Sequence, residues 1–156
     1  MNTAHPLDNT RMSVVLDKHE KGAAAALVHL LQDVQSEFNY LPKDAIIAVA
    51  DHLNVPLCKA YSVATFYKTF SLTPRGETIV KVCMGTSCHI RGASVVVEDL
   101  KAGLGIAPGE TTEDMKYTVE VVNCVGACAL APVVIADDKY IPNVKPGAVM
   151  KRLEDI

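Results

Sequence analysis

The sequence predicts an α+β chain in which an N-terminal helical bundle precedes a small domain of β-α-β-β-α order. Three observations carry that prediction. Apolar residues recur at helical spacing up to about residue 70, the period becomes two from residue 78, and four of the five cysteines fall in two pairs directly after strand-like segments. The expected boundaries are a loose tail over 1–16, a helical bundle over 17–70, a linker over 71–77 and a second domain over 78–156.

In the first half, Leu27, Leu30, Leu31, Val34 and Phe38 stand at i, i+3, i+4, i+7 and i+11, one apolar face of a helix. Asn39-Tyr40-Leu41 stops it, and Pro42 suits the first turn of a second helix through Ile46, Val49 and Leu53. Pro56 marks a similar break, and a third helix is expected through Tyr61, Ala64 and Tyr67 to about Phe70. Ser71-Leu72-Thr73-Pro74-Arg75-Gly76-Glu77 then interrupts both periodicities.

Downstream, Thr78-Ile79-Val80-Lys81-Val82 is rich in β-branched residues and runs into Cys83, while Tyr117, Val119 and Val121 alternate with Thr118 and Glu120 ahead of Cys124. Between these strands Ala93, Val96, Val97, Leu100 and Leu104 mark an amphipathic helix closed by Gly103 or Gly105. Segments 132–136 and 139–141 read as a hairpin turning at Asp137-Asp138, and Pro146 opens a last helix through Val149 and Leu153. This order is that of a thioredoxin-like domain.

Charge and length narrow the function. The net charge of −3 lacks the clustered basic excess that phosphate binding requires, so nucleic acid is not an expected partner. The longest uncharged stretch, Val121 to Ala136, is shorter than the ~18 residues a spanning helix needs and is broken by Asn123, Gly126 and Pro132, so no membrane insertion is expected. The N-terminal residues show no export or organelle signal, which makes a reducing cytoplasm the expected compartment.

Paired cysteines in such a compartment point to metal or redox chemistry rather than disulfides. Cys83 and Cys88 form C-x4-C, Cys124 and Cys128 form C-x3-C, and each pair occupies a glycine-containing loop. Four soft thiolates from two loops suit a [2Fe–2S] cluster, and backbone N–H groups exposed by glycine can turn toward sulfur. A four-cysteine structural zinc site stays open as the alternative, although C-x2-C turns are more usual there. Thiol–disulfide exchange of the thioredoxin kind wants C-x-x-C, and a Rieske centre wants two histidines where only His89 is near.

The segments Cys83-Met84-Gly85-Thr86-Ser87-Cys88-His89-Ile90-Arg91-Gly92-Ala93 and Cys124-Val125-Gly126-Ala127-Cys128-Ala129-Leu130-Ala131-Pro132-Val133-Val134 resemble the cluster-binding segments of one family. It is the 24 kDa (E-type) [2Fe–2S] subunit family of NADH:quinone oxidoreductase (complex I), including the homologous subunits of NAD(P)-linked hydrogenases and formate dehydrogenases. Tyr40-Leu41-Pro42 and Val63-Ala64-Thr65-Phe66-Tyr67 with Phe70 are similar to its helical N-terminal domain, so the match covers about residues 24–156. Asn39 and Ser62 stand where the family often has glycine.

The resemblance implies that Cys83, Cys88, Cys124 and Cys128 ligate one [2Fe–2S] cluster in a thioredoxin-like ferredoxin domain. It further implies an electron-transfer role within a multisubunit NAD(P)H-linked oxidoreductase. The partner is then a flavoprotein carrying FMN and the NAD(P)H site, alongside further iron–sulfur subunits, with any membrane association made through the complex. In keeping with that division, Gly103-Leu104-Gly105 lacks the third glycine of a dinucleotide fingerprint and follows a helix. A zinc-stabilised non-redox adaptor and a free-standing thioredoxin-like ferredoxin are the alternatives.

Other conspicuous residues have plainer readings. Cys58 is expected to be a buried helical cysteine, and His89 a solvated loop histidine. Arg91 either offsets cluster charge or is an ordinary surface arginine. Tyr61, Phe66, Tyr67 and Phe70 are expected in core or interface packing, and His5, His19, His29 and His52 share no metal-binding spacing.

Overall fold

The computed structural model describes residues 8–154, which divide into two compact units at Pro74 and Arg75. Among the described residues the first holds four α-helices, α1 (Asn9–Leu16), α2 (Leu27–Phe38), α3 (Lys43–His52) and α4 (Leu57–Phe66), with a short 3-10 turn at Ala24–Ala26 leading into α2. Residues 1–7, His5 among them, lie outside the described residues. The rest of the expected loose tail is corrected: Asp8 caps α1 by accepting from the Thr10 and Arg11 N–H groups, and Met12 and Val15 are buried in the core. Two inward residues in eight are too few for a periodicity to announce.

α2 is the centre of this unit and packs on α1, α3 and α4. Its expected face is the buried one, with Leu30, Leu31 and Val34 fully enclosed, and Asn39 ends it in a left-handed conformation. α3 begins after Pro42, whose carbonyl accepts from Ile46 N–H, and α4 likewise follows Pro56. α4 stops at Phe66 rather than near Phe70, and it turns Tyr61 and Phe66 outward, with Tyr67 exposed beyond its end; only Phe70 of that aromatic set is buried. Cys58 is exposed on α4, which corrects its expected burial.

The second unit comprises β1 (Thr78–Cys83), α5 (Thr86–Ile90), α6 (Ala93–Leu104), β2 (Tyr117–Val122), β3 (Val134–Ala136), β4 (Lys139–Ile141) and α7 (Val149–Glu154). Its sheet order is β2-β1-β3-β4, with β1 parallel to β2 and antiparallel to β3, and β3 antiparallel to β4. Val80, Val82, Val119 and Val134 of the sheet join Val96 and Leu100 of α6 and Val149 of α7 in one core. The hairpin and α6 lie where the alternation and the spacing predict them. α5 does not: five residues are too few to show a period, so the stretch after Cys83 reads in sequence as a loop.

Residues 75–77, expected within a linker, are fixed to this unit. Gly76 N–H donates to the buried Thr118 hydroxyl at 2.7 Å, Glu77 N–H donates to the Met115 carbonyl at 2.9 Å, and Arg75 pairs with Glu120 at 3.5 Å.

Leu30→Ala is expected to lower stability by about 2–5 kcal/mol, because it empties a wholly enclosed position. Val14→Ala, at an exposed site on α1, should change it by less than ~0.5 kcal/mol. Urea unfolding of both variants checks the contrast, and equal midpoints would mean that the α2 face is not the core.

Candidate metal centre

Both cysteine segments leave the sheet at the same edge. β1 ends at Cys83, whose N–H donates to the Val133 carbonyl at 3.1 Å, and Met84 N–H donates to the Val122 carbonyl at 2.8 Å. The end of β1 is thus held between the last residue of β2 and the segment that leads into β3. Gly85 then opens α5, which carries Cys88 on its buried side, so Cys88 sits within a helix rather than in a loop ahead of one. From β2 the chain runs through Asn123 to Cys124, turns at Gly126 and reaches Cys128 at the start of a short 3-10 turn.

The two glycines serve different needs. At Gly85 a β-carbon would stand 2.9 Å from the Asn123 carbonyl oxygen and 3.2 Å from the Cys124 β-carbon, so the two segments abut because this residue has no side chain. Gly126 adopts φ +78° in open space, where conformation rather than contact favours glycine. That turn lets its own N–H donate to the Cys124 sulfur at 3.4 Å.

The structure brings all four sequence-predicted thiols to this edge, at unequal depth: Cys83 and Cys88 are buried, Cys124 and Cys128 exposed. Burial pushes the Cys83 thiol up, yet N–H groups of Gly85 and Val125 and the thiols of Cys88 and Cys124 together bring its pKa below the ordinary cysteine value. Burial also raises Cys88, against a Val133 N–H donation, and its bond with Cys83 and the charges of Cys83 and Cys128 push it further up. Cys83 is therefore the first of the buried pair to become a thiolate.

Beside the thiols lies an open depression of about 760 Å³ lined by residues of both segments, including Gly85, Ser87, Asn123, Cys124 and Cys128, with Ile90 strongly exposed at its rim. Among the described residues, no three His, Cys, Asp or Glu side chains converge as a single-ion site would require. The donor set is two pairs of soft sulfurs on abutting segments, served by backbone N–H groups, and it suits a cluster held by four thiolates. The N–H donors of Val125 and Val133 and the carbonyl of Asn123 are not legible in the sequence, because backbone groups carry no residue signature. His89 is solvated as expected, but it sits in the last turn of α5 rather than in a loop, and Arg91 donates from Nη1 to the Ala131 carbonyl at 3.3 Å. The exposed Cys58 belongs to the other unit.

Comparison with known proteins gives a consistent picture. A family model described as thioredoxin-like [2Fe–2S] ferredoxin matches residues 12–156. The NADP-reducing hydrogenase subunit HndA of Solidesulfovibrio fructosivorans is 43% identical over 129 residues, 83% of this chain and 75% of its own length. The E-type subunit of the NADH-quinone oxidoreductase of Rickettsia bellii (strain RML369-C) is 36% identical over 149 residues, 92% of this chain and 89% of its own. Among solved structures, an NAD+-reducing [NiFe]-hydrogenase in the H2-reduced state matches with a TM-score of 0.73 at 20% identity, over 88% of this chain. This chain spans about a fifth of that polypeptide, 22%, and the likeness is one of fold.

Gly85→Val is expected to force the Asn123–Cys124 backbone away from α5 and to cost about 1–3 kcal/mol in the metal-free protein. Gly126→Ala, with open space around it, should lose only the left-handed backbone preference, ~1–2 kcal/mol. Unfolding midpoints measure both, and a wild-type midpoint for Gly85→Val would show that the loops separate without cost.

Proposed function

Because the chain belongs to the thioredoxin-like [2Fe–2S] ferredoxin family, we propose that it holds one [2Fe–2S] cluster on Cys83, Cys88, Cys124 and Cys128 and relays single electrons as a subunit of an NAD(P)H-linked oxidoreductase complex. What supports this reading is that two abutting segments leave the parallel strands β1 and β2 at the same end of the sheet, with Cys83 in reach of the Cys88 and Cys124 thiols and Cys88 feeling the charges of Cys83 and Cys128. When bound, such a cluster supplies reversible one-electron chemistry.

The residues divide the work. Cys83 and Cys88 hold the enclosed side, where water is excluded and N–H donation to sulfur has most effect. Cys124 and Cys128 hold the open side, next to the depression, and give electrons their shortest way in or out. The Gly126 N–H and the donors to Cys83 offset a site charge of roughly −2 when oxidised and −3 when reduced, and so favour the reduced state. Hydride chemistry belongs elsewhere, since the chain offers no dinucleotide fingerprint.

The partner in this reading is a flavoprotein carrying FMN and the NAD(P)H site, accompanied by further iron–sulfur subunits. The relatives named above, one a subunit of an NADP-reducing hydrogenase and one of an NADH-quinone oxidoreductase, support an oxidoreductase complex of either kind. The helical unit contributes to that assembly: α4 and its end leave Leu57, Tyr61, Phe66 and Tyr67 exposed, more apolar surface than a solvated helix needs. Among the described residues no helix is long and apolar enough to cross a membrane. In this reading the chain works in the cytoplasm and meets a membrane only through its complex.

Protein purified without air is expected to contain about two iron and two acid-labile sulfide per chain. Cys124→Ser should abolish or strongly alter the EPR signal of the reduced protein, whereas Cys58→Ser should leave it unchanged. One zinc and no sulfide in iron-sufficient preparations would replace the electron-transfer reading with that of a structural zinc adaptor.

Removing residues 1–74 is expected to leave a cluster-bearing domain that recovers much less flavoprotein in a pull-down than the full chain does. EPR first verifies equal cluster content. Equal recovery would mean that the cluster domain forms the whole interface.

A further inference from the structure

Arg91 links the two cysteine segments. It stands three residues after Cys88, at the end of α5, and its Nη1–H donates across 40 positions to the carbonyl of Ala131, three residues after Cys128. Ala131 is almost fully enclosed, 2% exposed, so its carbonyl has little access to water as a substitute donor. The neighbouring carbonyls are taken by backbone: Leu130 accepts from Asn143 N–H at 2.8 Å and Pro132 from Val144 N–H at 3.1 Å. The first cysteine segment thus reaches the middle of three consecutive anchored carbonyls with a side chain.

The guanidinium also keeps its charge. Arg11, His19 and Arg75 are paired with Glu37, Asp33 and Glu120, but among the described residues no carboxylate lies within ion-pair distance of Arg91. A solvated surface arginine would have no structural reason to choose a buried carbonyl, and a purely structural tie would not need a permanent charge.

We propose that Arg91 is a positioning residue for the cluster, clamping the Cys128–Pro132 segment onto the end of α5 and keeping one positive charge without a carboxylate partner at the joint between the two cysteine segments. The proposal rests on the cluster reading given above. The clamp keeps Cys128 in place relative to Cys88, and the charge favours the reduced, more negative state over the oxidised one.

The test uses the full chain with arginine, Arg91→Lys and Arg91→Gln. Iron and sulfide content is measured first, because a wild-type protein without either would remove the cluster reading itself, whatever Arg91 does. In loaded proteins, Arg91→Gln is expected to make reduction roughly three- to tenfold less favourable, about 30–59 mV downward at 59 mV per decade, since a partly exposed charge acts through an effective dielectric near ~20. Arg91→Lys should restore the wild-type equilibrium to within about twofold. A readout independent of the cluster is hydrogen exchange in the iron-free chain: the N–H of Ala131, bonded to Cys128, should exchange several-fold faster in Arg91→Gln. Unchanged potential and unchanged exchange in Arg91→Gln would overturn the proposal. So would an Arg91→Lys protein whose potential falls as far as that of Arg91→Gln, since side-chain shape alone would then account for the loss.

Discussion

β1 has a parallel neighbour on one side and an antiparallel neighbour on the other, and the site depends on that mixture. A parallel pair sends β1 and β2 out of the sheet at the same edge, so the residues after each strand meet there. The antiparallel β3 begins at that edge too, which brings the chain just after Cys128 back beside the end of β1. With Cys83 N–H on the Val133 carbonyl and Met84 N–H on the Val122 carbonyl, the chain at the first cysteine is held on both sides. Every other cysteine is placed relative to it: Cys88 by the turn of α5, Cys124 through the approach to Gly85, and Cys128 by the short turn that leads to the anchored carbonyls.

This arrangement separates two tasks in one loop pair. Close packing needs a missing side chain at Gly85, where the neighbouring backbone comes within 2.9 Å of a would-be β-carbon, whereas N–H donation to the Cys124 sulfur uses the left-handed turn at Gly126. Without the Gly126 turn Cys124 would lose its N–H donor, and without the missing side chain at Gly85 the two segments would be pushed apart. The same reasoning explains why the donors are backbone groups: they are set by the sheet and its turns, and they keep their places whichever redox state the site holds.

Much of this is legible in the sequence because the elements are long enough to show a period. The apolar face of α2, the β-branched run of β1 and the spacing in α6 are each long enough to show, and Leu30, Leu31, Val34, Val80, Val82, Val96 and Leu100 among their predicted inward residues are buried; in β2 the alternation marks the strand but not its inner face, since Thr118 and Val119 are buried and Val121 is exposed. Short elements are not legible: α5 has five residues and reads as a loop, and α1 hides behind two buried residues and a single aspartate cap. Cys58 shows a different limit. Free cysteine is commonly buried, but α4 turns that position outward, and only the tertiary arrangement decides which face a helix presents. The four paired cysteines are recognisable by spacing and loop composition, whereas their unequal depth follows from the sheet edge and has no counterpart in residue type.

That unequal depth has a consequence for access. Cys124 and Cys128 face the surroundings while Cys83 and Cys88 are enclosed. On the cluster reading the outer pair is the more accessible to an iron donor and to oxidants alike, since thiol oxidation follows exposure together with thiolate character.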